Sequence, residues 1–98
     1  MIVKIHEAYR NVVSVCDSDL IGKIFNEGKL CLDLTGNFFK GEEKTSEEVF
    51  EIIEDQKRED STFNIAGKES CEVALKTGII DSKAINTVSG IPICLVLT

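Results

Sequence analysis

The chain has 98 residues, of which 43% are hydrophobic and 29% charged, and its formal net charge is −6 at pH 7. This length and composition predict one folded domain over residues 1–98 and exclude a disordered chain. The longest apolar run, residues 91–97, is far shorter than the roughly 20 residues of a membrane-spanning helix, and the N-terminus lacks a signal-peptide pattern, so no membrane partner and a cytoplasmic location are expected.

The first third of the chain predicts a hairpin, a short helix and a strand. Residues 2–5 and 12–16 are apolar, β-branched runs joined by a polar stretch, which is typical of two antiparallel strands. A helix capped by Asp17 or by the serine after it is predicted over residues 17–26. Residues 29–34 alternate between leucine and other residues, which predicts a half-buried strand with its leucines facing the core.

Residues 35–44 are predicted to form a loop around Phe38 and Phe39. In an extended backbone, neighbouring side chains point to opposite sides, so one ring would be exposed and available to anchor a partner. The alternative is that the loop folds back and buries both rings.

A strongly acidic helix is predicted next. Thr45-Ser46-Glu47-Glu48 fits a capping box, and the helix that it opens runs to about Arg58 with a narrow apolar stripe that has Phe50 at its margin. Residues 41–60 contain nine of the seventeen acidic residues and only three basic ones, a surplus that equals the whole net charge. The helix is interpreted as a docking face for a basic partner, and the alternative is a solvated face. The carboxylates concerned are those of Glu47, Glu48, Glu51, Glu54 and Asp55.

A third helix is predicted over residues 64–77, ending at Gly78. Asn64, Gly67 and Lys68 would lie at its start, where backbone N–H groups attract anions, so they are a candidate RNA or anion site. The alternative is a plain cap with Gly67 allowing close packing, because the residues required for a phosphate-binding loop are missing. A turn at residues 81–84 and strands at 85–89 and 93–97 complete the chain. The order ββαβααββ predicts an α+β fold, a two-layer sandwich with helices packed on one face of a mixed sheet.

The sequence predicts no catalytic residues, no metal site and no cofactor. Its four cysteines have no CxxC spacing and are expected to be buried with inert thiols, and His6 is the only histidine. A small enzyme that uses Asp17, Asp33 or Cys16 is a third hypothesis, which requires these side chains to meet in one cleft.

A series of short segments gives the chain a recognisable pattern. They are Val15-Cys16-Asp17, Leu20-Ile21-Gly22-Lys23, Leu32-Asp33-Leu34, Phe38-Phe39 with Gly41, Asn64-Ile65-Ala66-Gly67-Lys68-Glu69-Ser70, Ala74, Gly78-Ile79-Ile80 and Gly90-Ile91-Pro92. In their order and spacing the chain resembles the archaeal proteins grouped as domain of unknown function 424.

The resemblance implies a compact α/β protein of the archaeal cytosol, in a family with no established activity and a loose association with translation or RNA. Together with the charge pattern, it favours a non-enzymatic accessory module that docks a basic protein or a ribonucleoprotein. Direct RNA or anion binding at Asn64, Gly67 and Lys68 is the alternative, although the net charge does not predict nucleic-acid binding.

Overall fold

The computed structural model describes residues 1–97 and begins with the hairpin that the sequence predicts. Strands β1 (Ile2–His6) and β2 (Val12–Cys16) pair antiparallel, with Ile2 opposite Cys16. Thr98, the last residue of the predicted single domain, lies outside the described residues.

The hairpin belongs to a six-stranded sheet. Across the sheet the strands are β5 (Glu42–Glu43), β1, β2, β6 (Thr62–Ala66), β8 (Ile91–Val96) and β7 (Asn86–Val88). Strands β2 and β6 run parallel, whereas the other neighbouring pairs are antiparallel, so the sheet is mixed as predicted. The parallel pair places β6 at the centre of the sheet, between β2 and β8.

Two helices pack on one face of this sheet. Helix α1 (Ser46–Arg58) begins with the predicted capping box, in which the Thr45 hydroxyl accepts from the Glu48 N–H at 3.2 Å and the Glu48 carboxylate accepts from the Thr45 N–H at 3.0 Å. Helix α2 (Lys68–Thr77) ends at Gly78, whose φ of +79° is the left-handed conformation expected there.

The main core lies between the helices and the sheet. It joins alternate residues of the central strands to the buried sides of both helices: Val13, Val15, Phe63 and Ile65 with Val49, Ile53, Cys71, Val73 and Ala74. We call this side of the sheet the helix face. The predicted α+β class, with a mixed sheet and its helices on one face, is confirmed.

The opposite side, here called the hairpin face, is partly covered by a second hairpin. Its strands, β3 (Ile24–Glu27) and β4 (Leu30–Asp33), pair only with each other. A second, smaller core lies beneath it and contains Cys16, Leu20, Leu34 and Ala66, with Phe25, Leu32 and Phe39 packed around them. The side of β2 and β6 that faces away from the helices is therefore also partly buried.

The prediction of a helix over residues 17–26 is wrong. Only Ser18–Leu20 forms a 3-10 turn, and the chain then enters β3. The apolar spacing fits a helix, but Ile21 is already extended and Gly22 takes a left-handed conformation with φ +87°, so no helix continues from the turn. Pairing of β3 with β4 then satisfies backbone groups that the helix would have satisfied.

The start of the third predicted helix is also wrong, because residues 62–66 form β6 and α2 begins only at Lys68. Phe63 and Ile65 alternate with Asn64 and Ala66, which is the period of a strand. The strand predicted at residues 29–34 is present as β4, but Leu30 is 54% exposed, because β4 belongs to the outer hairpin rather than to the main sheet.

Candidate functional site

The carboxylates predicted to dock a partner all lie on α1, and most of them are exposed. Glu47 and Glu51 are exposed and Glu54 is half-buried, and none of the three side chains forms a hydrogen bond or an ion pair with another residue of the range 1–97. Glu48 closes the capping box, and the hydrogen bond from the cap N–H lowers the pKa of its carboxyl below the usual value. Asp55 pairs with the arginine that ends α1.

A groove of about 400 Å³ runs between α1 and α2 beside these carboxylates. Phe50 projects into it with 38% of its surface exposed. We call this feature the acidic groove, and its lining residues are Ser46, Glu47, Phe50, Glu51, Val73 and Lys76. Phe50 was not among the predicted site residues, although its place at the margin of the apolar stripe was a signal that its ring would be partly exposed.

The acidic groove continues towards the N-terminus of α1. A second depression of about 380 Å³ shares Ser46, Val73 and Lys76 with it and adds the carboxylates of Glu69 and Glu72 from α2. Around the apolar strip the two depressions together hold four carboxylates and two lysines, Lys44 and Lys76, so acidic side chains outnumber basic ones. Such a surface can hold a basic segment that carries one apolar side chain.

Phe38 and Phe39 lie on the hairpin face, across the sheet from α1. The Phe38 ring stacks on His6 with ring centres 4.6 Å apart, and its carbonyl accepts hydrogen bonds from Ser14 Oγ and His6 Nε2, each at 2.9 Å. Phe39 packs edge-on against Phe38 and contacts the second core. The two rings and the carboxylates of α1 therefore lie on opposite sides of the sheet, so a single partner would have to reach around the sheet to contact both.

The structure instead brings together two other candidates, Phe39 and Asn64. Both line a pocket of about 240 Å³ on the hairpin face. Leu32 forms a further wall, the β8 residues Ile93 and Leu95 contribute from the sheet, and Asn86 of β7 lies at the edge. Asn86 was not among the predicted site residues, since only the pairing of β7 with β8 places it beside the others.

The start of α2 is occupied by a carboxylate of the chain itself. Asp17 is buried, and its Oδ1 accepts from the Ser70 N–H at 2.8 Å and the Ser70 hydroxyl at 2.7 Å. Its Oδ2 accepts from the Glu69 N–H at 3.1 Å. Gly67 caps the helix with φ +109°, and a Cβ there would lie 2.2 Å from Asp17 Cγ. Gly67 has no side chain with which to cap the helix, and Asp17 supplies that cap instead.

This arrangement changes the expectation of an anion or RNA site at Asn64, Gly67 and Lys68. Asn64 lies within β6 and does not cap the helix. Lys68 is exposed at the first position of α2, but N–H groups of that turn already donate to Asp17. The predicted combination of three residues at one helix start is not formed.

The residues proposed for an enzyme do not converge on a cleft. Cys16 is fully buried, and burial together with the nearby carboxylates of Asp17 and Asp19 raises the pKa of its thiol to about 12. Asp33 lies on the exposed β3–β4 hairpin, where hydrogen bonds from Thr35 lower the pKa of its carboxyl. The expectation of four buried cysteines is wrong for one of them, since Cys31 is exposed on the same hairpin.

Two further observations concern residues 1–97. They contain no group of three or more histidine, cysteine, aspartate or glutamate side chains placed to hold a metal ion. Neither helix in this range has the length and apolar character needed to cross a bilayer.

Comparison with known proteins places this chain in a family but gives no activity. The model of a family described as "Protein of unknown function (DUF424)" matches residues 6–98. A crystal structure of an uncharacterized conserved protein from Methanopyrus kandleri is similar with a TM-score of 0.83 and 23% sequence identity, over 98% of this chain and 90% of that one. No curated protein matches. Because the family model covers almost the whole sequence, this chain belongs to the DUF424 family of proteins of unknown function.

Proposed function

We propose that the protein is a non-enzymatic binding module that docks a basic protein segment in its acidic groove. The observation that carries the proposal is the position of an exposed aromatic ring, Phe50, between the unpaired carboxylates of Glu47 and Glu51. An aromatic side chain supplies apolar contact area, and the carboxylates around it favour a positively charged partner.

The charge distribution supports a basic partner in particular. Residues 41–60 carry the surplus of six negative charges, while the remainder of the chain is neutral. A localised field of this kind raises the rate of encounter with a positive segment and disfavours negative ones. Ribonucleoproteins are a source of such segments, because contact with phosphate requires clustered lysine and arginine. An accessory role near translation or RNA would follow from a partner of that class.

Direct RNA binding through Lys68 at the start of α2 is the alternative function. It has less support, because Asp17 already accepts hydrogen bonds from the Glu69 and Ser70 N–H groups. Lys68→Glu should abolish RNA retention if this site is used, and full retention would reject it.

The test compares two variants with the same net charge. Glu47→Lys combined with Glu51→Lys alters the acidic groove, whereas Glu7→Lys combined with Asp19→Lys alters exposed carboxylates outside both the groove and the acidic segment 41–60. Each charge reversal raises the net charge by two units, so both variants change the net charge from −6 to −2. The tagged chains are expressed in an archaeal host, purified at low salt with and without ribonuclease, and the co-purifying proteins are identified and re-bound in purified form.

We expect a basic protein to co-purify even after ribonuclease treatment, and to bind the control variant with the same affinity as the original chain. The groove variant should bind on the order of tenfold more weakly and with a flatter salt dependence, because exposed charge pairs contribute about 0.2–1 kcal/mol each and are screened by salt. Equal affinity of the two variants would show that α1 is only a solvated face. Loss of every partner on ribonuclease treatment would favour RNA.

A further inference from the structure

We infer that the pocket on the hairpin face binds a single nucleobase, stacked on Phe39 and hydrogen-bonded by Asn64 and Asn86. The site lies across the sheet from the acidic groove and does not depend on the function proposed for it. Its volume of about 240 Å³ is below the usual range for drug-sized ligands, which suits one planar ring system.

The two asparagines provide the polar recognition. Strand pairing places Asn86 beside Ile93 and Asn64 beside Leu95, on the side of the sheet that faces away from the helices. Neither carboxamide has a hydrogen-bond partner within residues 1–97. A carboxamide offers a donor and an acceptor side by side, which matches the paired donor and acceptor on the edge of a base.

The aromatic and apolar walls provide the stacking surface. Phe39 is half-buried, and the ring of Phe38 holds it edge-on with centres 5.0 Å apart. Phe38 is itself fixed by His6 and Ser14, so the stacking ring is positioned before a ligand arrives. Proteins usually bind unpaired bases with aromatic side chains, which can stack on the face of any base, and with polar groups, which form hydrogen bonds to the edges of the base.

The pocket reads the base and not the attached phosphate, because its lining residues include no lysine or arginine. Lys40 follows Phe39 directly in the sequence but lines a separate depression with Val3, Ile5 and Ile52. The base can come from a free nucleotide or from single-stranded RNA, and both present the same chemistry to the pocket.

The test is a titration of the full-length, isotope-labelled chain followed by NMR. The probes are the four ribonucleoside monophosphates and unstructured RNA hexamers of each base. We expect the backbone and side-chain amide signals of Asn64 and Asn86, and the backbone signal of Phe39, to shift and saturate. Saturation by a monophosphate identifies a free nucleotide as a sufficient ligand, and saturation by a hexamer alone identifies RNA as the source. Absence of shifts at these residues with every probe would overturn the inference.

Matched variants separate the pocket from other surfaces. Phe39→Leu retains an apolar side chain but removes the stacking ring, and should weaken binding by about five- to a hundredfold. Asn86→Ala removes one exposed carboxamide and should weaken binding while leaving the amide spectrum of the fold intact. The controls are Phe50→Leu in the acidic groove and Asn26→Ala on the exposed hairpin strand, which should bind like the original chain. Equal effects of the pocket and control variants would reject the site, and Lys68→Glu should not change binding.

Discussion

Replacement of Asp17 by alanine should lower the free energy of unfolding by about 3 kcal/mol, because this buried carboxylate caps α2 from another part of the chain. The substitution removes the acceptor for three donors, namely the Glu69 N–H, the Ser70 N–H and the Ser70 hydroxyl. It also removes a negative charge from the positive end of the helix dipole.

The magnitude lies between two limits. Loss of an ordinary helix cap costs about 0.5–2 kcal/mol. Three hydrogen bonds to a charged group, at about 1.5–3 kcal/mol each, would sum to about 4.5–9 kcal/mol if none were replaced. The adjoining depression beside Ser18, Asp19 and Lys68 opens to solvent, so water reaches some of the released donors. Asp17→Asn retains one acceptor oxygen for Ser70 but turns an NH₂ group towards the Glu69 N–H, and should cost about half as much.

Urea denaturation followed by circular dichroism at the helix band measures this difference. A loss of about 3 kcal/mol should lower the midpoint by about 1–3 M, since urea slopes for small domains are about 1–3 kcal/mol per M. Asp19→Ala is the control, because Asp19 is exposed and has no hydrogen-bond partner within the described residues. If Asp17→Ala lies within about 0.5 kcal/mol of this control, the carboxylate does not stabilise α2 and our reasoning is wrong.

Three other experiments have defined outcomes. Gly67→Ala should destabilise by at least about 2 kcal/mol in a thermal melt, because its Cβ would lie 2.2 Å from Asp17 and the left-handed backbone disfavours a side chain; a neutral result would contradict the close approach. Thr45→Ala should cost about 1 kcal/mol in urea through loss of the capping box, and no change would mean that the cap is dispensable. Ellman's reagent at pH 8 should titrate Cys31 rapidly in the native protein and all four thiols only after unfolding, because burial protects the others and the pKa of Cys16 is raised to about 12; a second fast native thiol would refute this.

Local patterns in the sequence predicted the elements that depend on local interactions. The capping box at Thr45 and the left-handed end at Gly78 are determined by residues within one helical turn, and both are confirmed. The β1–β2 hairpin has adjacent strands, so its apolar runs were sufficient to predict it. The prediction around Gly22 was wrong because the same apolar spacing is compatible with a helix and with a turn followed by a strand. The pairing with β4 decides between the two.

The candidate sites depended more on topology and were correspondingly harder to predict. The five carboxylates of α1 could be assigned to one helix from the sequence, and four of them are exposed. The capping of α2 by Asp17 joins residues more than fifty positions apart, and only the parallel pairing of β2 with β6 makes them neighbours. The same pairing places Asn64 on the hairpin face beside Phe39, which the helix expected at that position could not do.

The parallel pairing at the centre of the sheet also determines when this protein can fold during its synthesis. Val12 pairs with Thr62, so the ribosome must add fifty residues after the first strand of this pair before its partner exists. Until then β1, β2 and α1 lack the strand that completes their core, and the edge of β2 is open to pairing with other chains. Closing so long a loop is entropically costly, so the docking of β6 should limit the folding rate. The acidic segment between the two strands is made first, and its charge would help to keep the unfinished chain soluble.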